Sequence, residues 1–272
     1  MSRHNQNSLE RAWLRIMIDQ IRHSYSSTKD FWECAKRYHY RVTTPDSAVP
    51  NEHMVFGKIV HSSIERYEKY DKSITKLVGW SLHEWEREMA TSSFLEGKIP
   101  RPPKSFKRMY ENYIHIIKPK LPAKDIEVEK FFKISLAYSP DGETKISFVG
   151  KIDRIDSGGI YDWKTSERLP DTYELHDNQF FAYWWAYRKL YGENPSRIVY
   201  GHLGSGNLYN IDMSVSLLRN FENLLDKTTE VVYNAWRMER FPRIIGYQCK
   251  RCPFRSICFR ELAEEEEHVK DC

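Results

Sequence analysis

Between residues 127 and 165 the chain changes period. Apolar and β-branched residues alternate with polar ones there, whereas the segments on both sides carry apolar residues at helical spacing. The alternation predicts strands over 127–138 and 145–155, a tight turn at Ser157-Gly158-Gly159, and a short strand over 160–165. A sheet set mid-chain between helical stretches restricts the fold to a mixed α/β or α+β class, with helices packed on a central sheet.

The flanking helices follow from spacing and breakers. Leu9, Trp13, Ile16, Met17 and Ile21 predict an amphipathic helix over 8–24, and Ser27 or Thr28 caps a second helix over 29–40 that carries Cys34. Pro45 and Pro50 bound a loop, and a helix over 54–70 presents Phe56, Val60, Ile64 and Tyr67 on its apolar face. Residues 72–124 read as a helical insertion, with helices near 80–96 and 104–117 split by Ile99-Pro100-Arg101-Pro102-Pro103. Beyond the sheet come an aromatic helix over 173–191 stopped by Gly192, a hairpin (197–203 and 208–212), a helix over 214–240, and a loop-like tail over 249–258. The whole, 1–272, reads as one domain.

Composition narrows the setting. The longest apolar run, Phe180 to Tyr187, falls far short of the ~20 residues of a spanning helix, and the first residues show no secretory pattern. A cytoplasmic protein without a membrane partner is expected. The net charge of +4 includes the acidic run Glu264 to Glu267, so the remainder is more basic and suits a polyanionic partner. Five cysteines in such a chain point to metal or redox chemistry rather than disulfides.

Two clusters could carry chemistry. With Ser157-Gly158 as the turn, Asp153 falls opposite Asp162, with Cβ atoms roughly 5 Å apart, and Lys164 shares the Asp162 face. Two carboxylates that close repel unless a cation lies between them, and oxygen ligands suit Mg²⁺ or Mn²⁺. The plainer meaning is an Asp162–Lys164 salt bridge, since the same acid-x-lysine spacing recurs at Glu96-x-Lys98 and Glu143-x-Lys145. The second cluster is Cys249, Cys252 and Cys258, which needs a fourth ligand. Cys34 supplies it if the fold brings it near, and four thiolates suit either Zn²⁺ or a [4Fe–4S] cluster.

The stretch FVGKIDRIDSGGIYDWKTS resembles the core of the PD-(D/E)XK nuclease superfamily, whose pattern is an Asp on one strand and Asp/Glu-x-Lys on the next. The resemblance implies a restriction-endonuclease-like core in which Asp153, Asp162 and Lys164 are catalytic. Phe56-Gly57-Lys58-Ile59-Val60-His61 resembles the Gly-x-x-x-His helix of RecB-like nucleases, which makes His61 a further metal ligand beside Asp153, Asp162 and the Trp163 carbonyl. Val128 to Leu136 resembles the strand preceding the Asp, with Glu129 a minor candidate ligand. Gln179-Phe180-Phe181-Ala182-Tyr183 is similar to the Gln-x-x-x-Tyr motif, which implies that Gln179 and Tyr183 touch the DNA strand. Tyr183 also fits an aromatic core stripe with Trp184, Tyr187 and Tyr191.

A Phe-x-x-Cys helix near the start, with three cysteines near the end, resembles the iron–sulfur RecB-like nucleases. These include the AddB nuclease subunit and the CRISPR-associated adaptation exonucleases. The resemblance implies a [4Fe–4S] cluster on Cys34, Cys249, Cys252 and Cys258, clasping segment 241–262 onto Cys34, with Zn²⁺ the alternative. Ala35 stands where the family usually has proline, and Cys272 is left as a free thiol. The implied activity is a Mg²⁺- or Mn²⁺-dependent DNA exonuclease on single-stranded ends, in recombination, repair or CRISPR adaptation. Its partner would be a helicase, recombinase or CRISPR integrase. No Gly-x-x-x-x-Gly-Lys-Ser/Thr loop is present, so the chain has no helicase motor of its own. The competing class is a non-catalytic, cysteine-clasped DNA-binding or assembly subunit.

Overall fold

The computed structural model describes residues 20–90, 102–138 and 145–270. In chain order these form β1 (Gln20–His23), α1 (Tyr25–Glu33), α2 (Ala35–Thr43), α3 (Glu52–Tyr70), α4 (Ile74–Ala90) and α5 (Ser105–Glu111), which a π-helical turn (Asn112–Ile117) prolongs. There follow β2 (Glu127–Tyr138), β3 (Lys145–Asp156), β4 (Gly159–Lys164), the single turn α6 (Thr172–Leu175) and α7 (Asn178–Tyr191). The chain closes with β5 (Ile198–His202), β6 (Asn207–Asn210), α8 (Val215–Arg237), a 3₁₀ turn (Tyr247–Arg251) and α9 (Arg255–Lys270). No helix among the described residues is long and apolar enough to cross a membrane.

The expected mixed sheet is present, and β3 organises it. β2 runs antiparallel along one side of β3. The other side is shared: β1 lies parallel to Lys145 through Phe148, and β4 lies antiparallel to Arg154 through Asp156. β5 pairs parallel with β4, which demands a long crossover, and the aromatic helix α7 supplies it. Helices cover both faces. Ile160, Ile198 and Tyr200 pack with Phe180, Phe181 and Phe221 from the α7–α8 layer. Tyr161, Trp163, Val199 and Leu203 pack with Val60, Trp85 and Tyr110 from α3–α5. The β3–β4 turn needs glycine at 159, where φ is +134° and a Cβ would meet the Arg197 carbonyl at 2.2 Å.

Several expected elements differ. The helix over 8–24 falls mostly outside the described residues, but its end, Gln20–His23, is a strand, because the open flank of β3 takes its backbone hydrogen bonds and Ile21 is buried there. The helix over 29–40 is two helices, broken at Cys34, whose φ of −168° and ψ of 105° are extended. Its cap is Ser24 rather than Ser27 or Thr28; the Ser24 hydroxyl accepts the Ser27 N–H at 3.2 Å. The aromatic helix divides at 176–177, where the Asp177 carboxylate caps α7 by accepting the Gln179 N–H at 2.8 Å. The tail is not loop-like: Cys249 lies on the 3₁₀ turn and Cys258 on α9. In the 72–124 region α4 begins earlier than expected, and residues 91–101 lie outside the description, as do Glu143, Leu9 to Met17 and Cys272.

A buried ion network joins the α3–α5 layer to the sheet. Arg154, 1% exposed, donates to Glu68 at 2.8 Å, to Asp156 at 2.9 Å and to the Pro122 carbonyl at 2.7 Å. Glu68 also accepts from Tyr113 at 2.8 Å and pairs with Lys118 at 3.2 Å. Replacing Arg154 with Met removes the buried cation that two carboxylates share and is expected to lower stability by about 3–5 kcal/mol. Urea denaturation checks this, and a loss below about 1 kcal/mol would show that the network does not hold the layer to the sheet.

Candidate active site

Three elements meet at one patch of the sheet. His61 projects from α3, Asp153 from β3, and Asp162 and Lys164 from β4. The pairing Arg154↔Tyr161, carried one step further, places Asp153 opposite Asp162 as the hairpin reading predicts. The His61 Nδ1 lies 3.1 Å from Asp153 Oδ1, and Asp153 Oδ2 accepts the Trp163 N–H at 2.7 Å. Because N–H and C=O of one strand residue share an edge, the Trp163 carbonyl faces the same side. Lys164 Nζ sits 2.6 Å from Asp162 Oδ2, an ion pair without the alignment of a hydrogen bond.

Lys164 begins a polar relay into α7. Its ammonium donates to Gln179 Oε1 at 2.7 Å, and Gln179 Nε2 donates to the Tyr183 hydroxyl at 2.7 Å. The Tyr183 ring is part of the aromatic core, as the stripe predicts, and its hydroxyl reaches the carboxylates. Gln179, Tyr183 and Lys151 line an open groove of about 610 Å³ that continues past Lys29 to Arg37.

Glu129 gains a place that sequence reasoning gave only weakly. Its carboxylate pairs with Lys151 and lies 4.0 Å from His61 Nδ1. One ligand atom each from His61, Glu129 and Asp153 fall within 4.8 Å of one another, while Asp162 stands outside this trio, engaged by Lys164. Glu129 holds a left-handed backbone at φ 53°, a conformation worth about 1–3 kcal/mol of strain in a non-glycine residue. The pairing of Val128 with Arg154 sets Glu129 beside Asp153, a signal legible only once the register is known.

Charge is balanced within the patch. Burial opposes protonation of His61, but Asp153, with Asp162 and Glu129 behind it, raises its pKa to about 9. Burial would raise Asp153, yet His61, the Trp163 N–H and Lys164 hold it below the usual range. Asp162 is raised by burial and by Asp153 despite Lys164. Tyr183 is pushed well up, by burial first and then by Asp162 and Asp153, so its hydroxyl keeps its proton. An imidazole and carboxylates gathered this way are a donor set for a divalent cation.

The sequence matches the PD-(D/E)XK nuclease superfamily over residues 22–259. This chain belongs to the PD-(D/E)XK nuclease superfamily. Among solved structures it is similar to a "Putative exonuclease" from Eubacterium rectale, with a TM-score of 0.54, 15% identity and 92% of each chain covered. A second similar structure, SSO0001, has a TM-score of 0.37 and 14% identity, covering 93% of this chain and 97% of that one. A comparison with curated proteins gives no match. PD-(D/E)XK nucleases use divalent metals, and the His61–Glu129–Asp153 grouping fits that need.

The nuclease also gathers its cysteines. Cys34, from the break between α1 and α2, lines one cavity with Cys249, Cys252 and Cys258, beside Arg37 and Arg243. All four are free thiols. The Gly246 N–H donates to Cys249 Sγ at 3.5 Å. Burial raises the Cys252 thiol, Cys34 and Cys249 add to this, and the Phe254 N–H and Arg37 oppose it.

The raised His61 pKa sets a pH dependence for metal-free protein. The folded value of about 9 exceeds the unfolded value of about 6.5, so the His61–Asp153 pairing stabilises fully below about pH 6.5. That contribution is lost as pH rises through about 9. Denaturant melts in chelator across this range check it, and Asp153→Asn should flatten the loss; an unchanged profile would contradict the pairing.

Proposed function

We propose that this PD-(D/E)XK nuclease is a Mg²⁺- or Mn²⁺-dependent DNA exonuclease acting on single-stranded ends. The observation that carries the reading is the convergence of His61, Asp153 and Asp162 with Lys164, whose ammonium donates to Gln179 on the wall of an open groove. A bound divalent ion would supply Lewis-acid stabilisation and a water of lowered pKa. His61, Asp153 and Asp162 would hold that ion together with the Trp163 carbonyl, and Glu129 would join them. Lys164, steered by Asp162 and Gln179, orients the attacking water and steadies charge on the phosphate oxygens. Gln179 and Tyr183 touch the strand. The description of the Eubacterium rectale neighbour as a "Putative exonuclease" agrees with action from an end. The partner is a helicase, recombinase or CRISPR integrase that exposes such ends.

The chain is read as one nuclease domain over 1–272, with 72–124 as a helical insertion and 241–262 closing onto Cys34. The four cysteines hold a [4Fe–4S] cluster in this reading. Their thiol-only set and the N–H donor to Cys249 fit a thiolate-bound group. Tetrahedral Zn²⁺ is the alternative occupant of the same four thiolates. Hydrolysis moves no electrons, so the cluster serves as a clasp.

Digestion of end-labelled single-stranded DNA with Mn²⁺ tests the activity. Lys164→Ala is expected to lose about 100-fold or more, the scale of one lost electrostatic group at a reacting centre. Equal rates in both proteins would favour the non-catalytic subunit. Anaerobically purified protein is expected to be brown, and a colourless protein carrying stoichiometric zinc would overturn the cluster assignment.

A further inference from the structure

The surface beside the cysteine cavity gathers exposed rings and basic side chains. Tyr247 is 73% exposed, Ile245 64% and Phe259 44%. Each aromatic carries a cation: Lys250 Nζ lies 5.1 Å from the Tyr247 ring centroid, and the Arg255 guanidinium 5.6 Å from that of Phe259. Arg251 stands exposed between them. Among the described residues Lys250, Arg251 and Arg255 form no ion pair, and two acids of α9 are engaged elsewhere. Glu261 is taken by Lys36, Tyr40 and Arg243, and Glu265 by Arg243. Three unpaired cations and two exposed rings thus fall within residues 247–259.

Exposed rings cost solvation and exposed apolar surface invites aggregation, unless the patch has a ligand with both flat apolar faces and negative charge. Single-stranded nucleic acid has both, since bases stack on aromatic rings and phosphates meet Lys and Arg. The patch is also continuous with the active-site groove. Arg37 lines the groove that holds Gln179 and Tyr183, and it lines the cysteine cavity together with Arg255 and Phe259. A strand lying along the groove from Gln179, the hydrogen-bond partner of Lys164, reaches Arg37, which borders the cavity that Arg255 and Phe259 line.

We propose that Tyr247, Phe259, Lys250, Arg251 and Arg255 form a second contact site for single-stranded nucleic acid, which holds the substrate strand away from the scissile bond. The proposal takes its polymer class from the function proposed above. It adds a distinct expectation: affinity rises with strand length once the strand spans from the catalytic centre to Tyr247.

The test is fluorescence anisotropy of labelled oligothymidylates in chelator, at about 4 and about 20 nucleotides, bracketing the usual footprint of a single-strand site. Variants are Tyr247→Ala and the double reversal Lys250→Glu/Arg251→Glu, all at exposed positions, with the melting temperature checked against the parent. The parent should bind the long strand more tightly than the short one. Tyr247→Ala should weaken the long strand alone by about ten-fold. The double reversal should reduce the slope of log affinity against log salt by about 1.4 or more, at ~0.7 per lost phosphate contact. Mn²⁺-dependent cleavage of the short strand should be unchanged in Tyr247→Ala. If that cleavage occurs but the parent shows no length dependence, the platform is wrong while the nuclease reading stands. If the parent binds neither strand, both fall. Unchanged affinity and slope in the variants, with altered self-association instead, would make the patch a protein-docking surface and overturn the proposal.

Discussion

Asp153 and Asp162 stand side by side in a sheet whose two faces are both covered, and nearly every other feature of the molecule answers that fact. Neither carboxylate can be solvated freely, and Asp153 disfavours ionisation of Asp162. Positive charge must therefore come from elsewhere in the fold. α3 brings His61 to Asp153, the strand itself brings Lys164 to Asp162, and the Trp163 N–H fills the remaining Asp153 oxygen. A divalent ion entering this patch would meet donors already aimed inward, with the protein's own cations standing in until it arrives.

The positions of these groups depend on how β3 shares its edge. β1 occupies the first part and β4 the last, so the hairpin register alone sets Asp153 against Asp162. The parallel β4–β5 pair then forces a crossover, and the crossover helix must begin close to the end of β4. This is why Gln179 and Tyr183, in the opening turns of α7, reach Lys164. Trp163 alternates to the opposite face, where it packs on Tyr161 at 5.7 Å and Tyr113 at 5.3 Å and anchors the helical layer. Arg154, one residue after Asp153, ties that same layer to β3 through Glu68. Core packing and the site are thus interleaved residue by residue along two strands.

Much of this was legible because it is local. Strand alternation over β2–β4, the Ser157-Gly158 turn and the Asp162/Lys164 spacing depend on a period of two and on glycine, both readable from a few residues. The failures share one cause. Gln20–His23 looks helical by apolar spacing yet becomes a strand, because a free flank of β3 offers hydrogen bonds that no local pattern announces. Cys34 and Asp177 interrupt helices whose apolar spacing runs through them, and each break redirects a side chain toward a distant segment. Glu129 was undervalued for the same reason, since only the β2–β3 register sets it beside Asp153 and His61.

The amino-acid sequence by itself determined the elements, the hairpin that pairs the two aspartates, and the residue types suited to a metal, because each rests on interactions within about ten neighbours. Tertiary structure alone decided which groups meet. It joined His61 and Glu129 to the hairpin across 92 and 24 residues of chain from Asp153, and it brought Cys34 to the cavity of Cys249, Cys252 and Cys258. Such contacts repay the entropy of closing long loops only when a whole layer packs at once, so no single segment of sequence carries their signature.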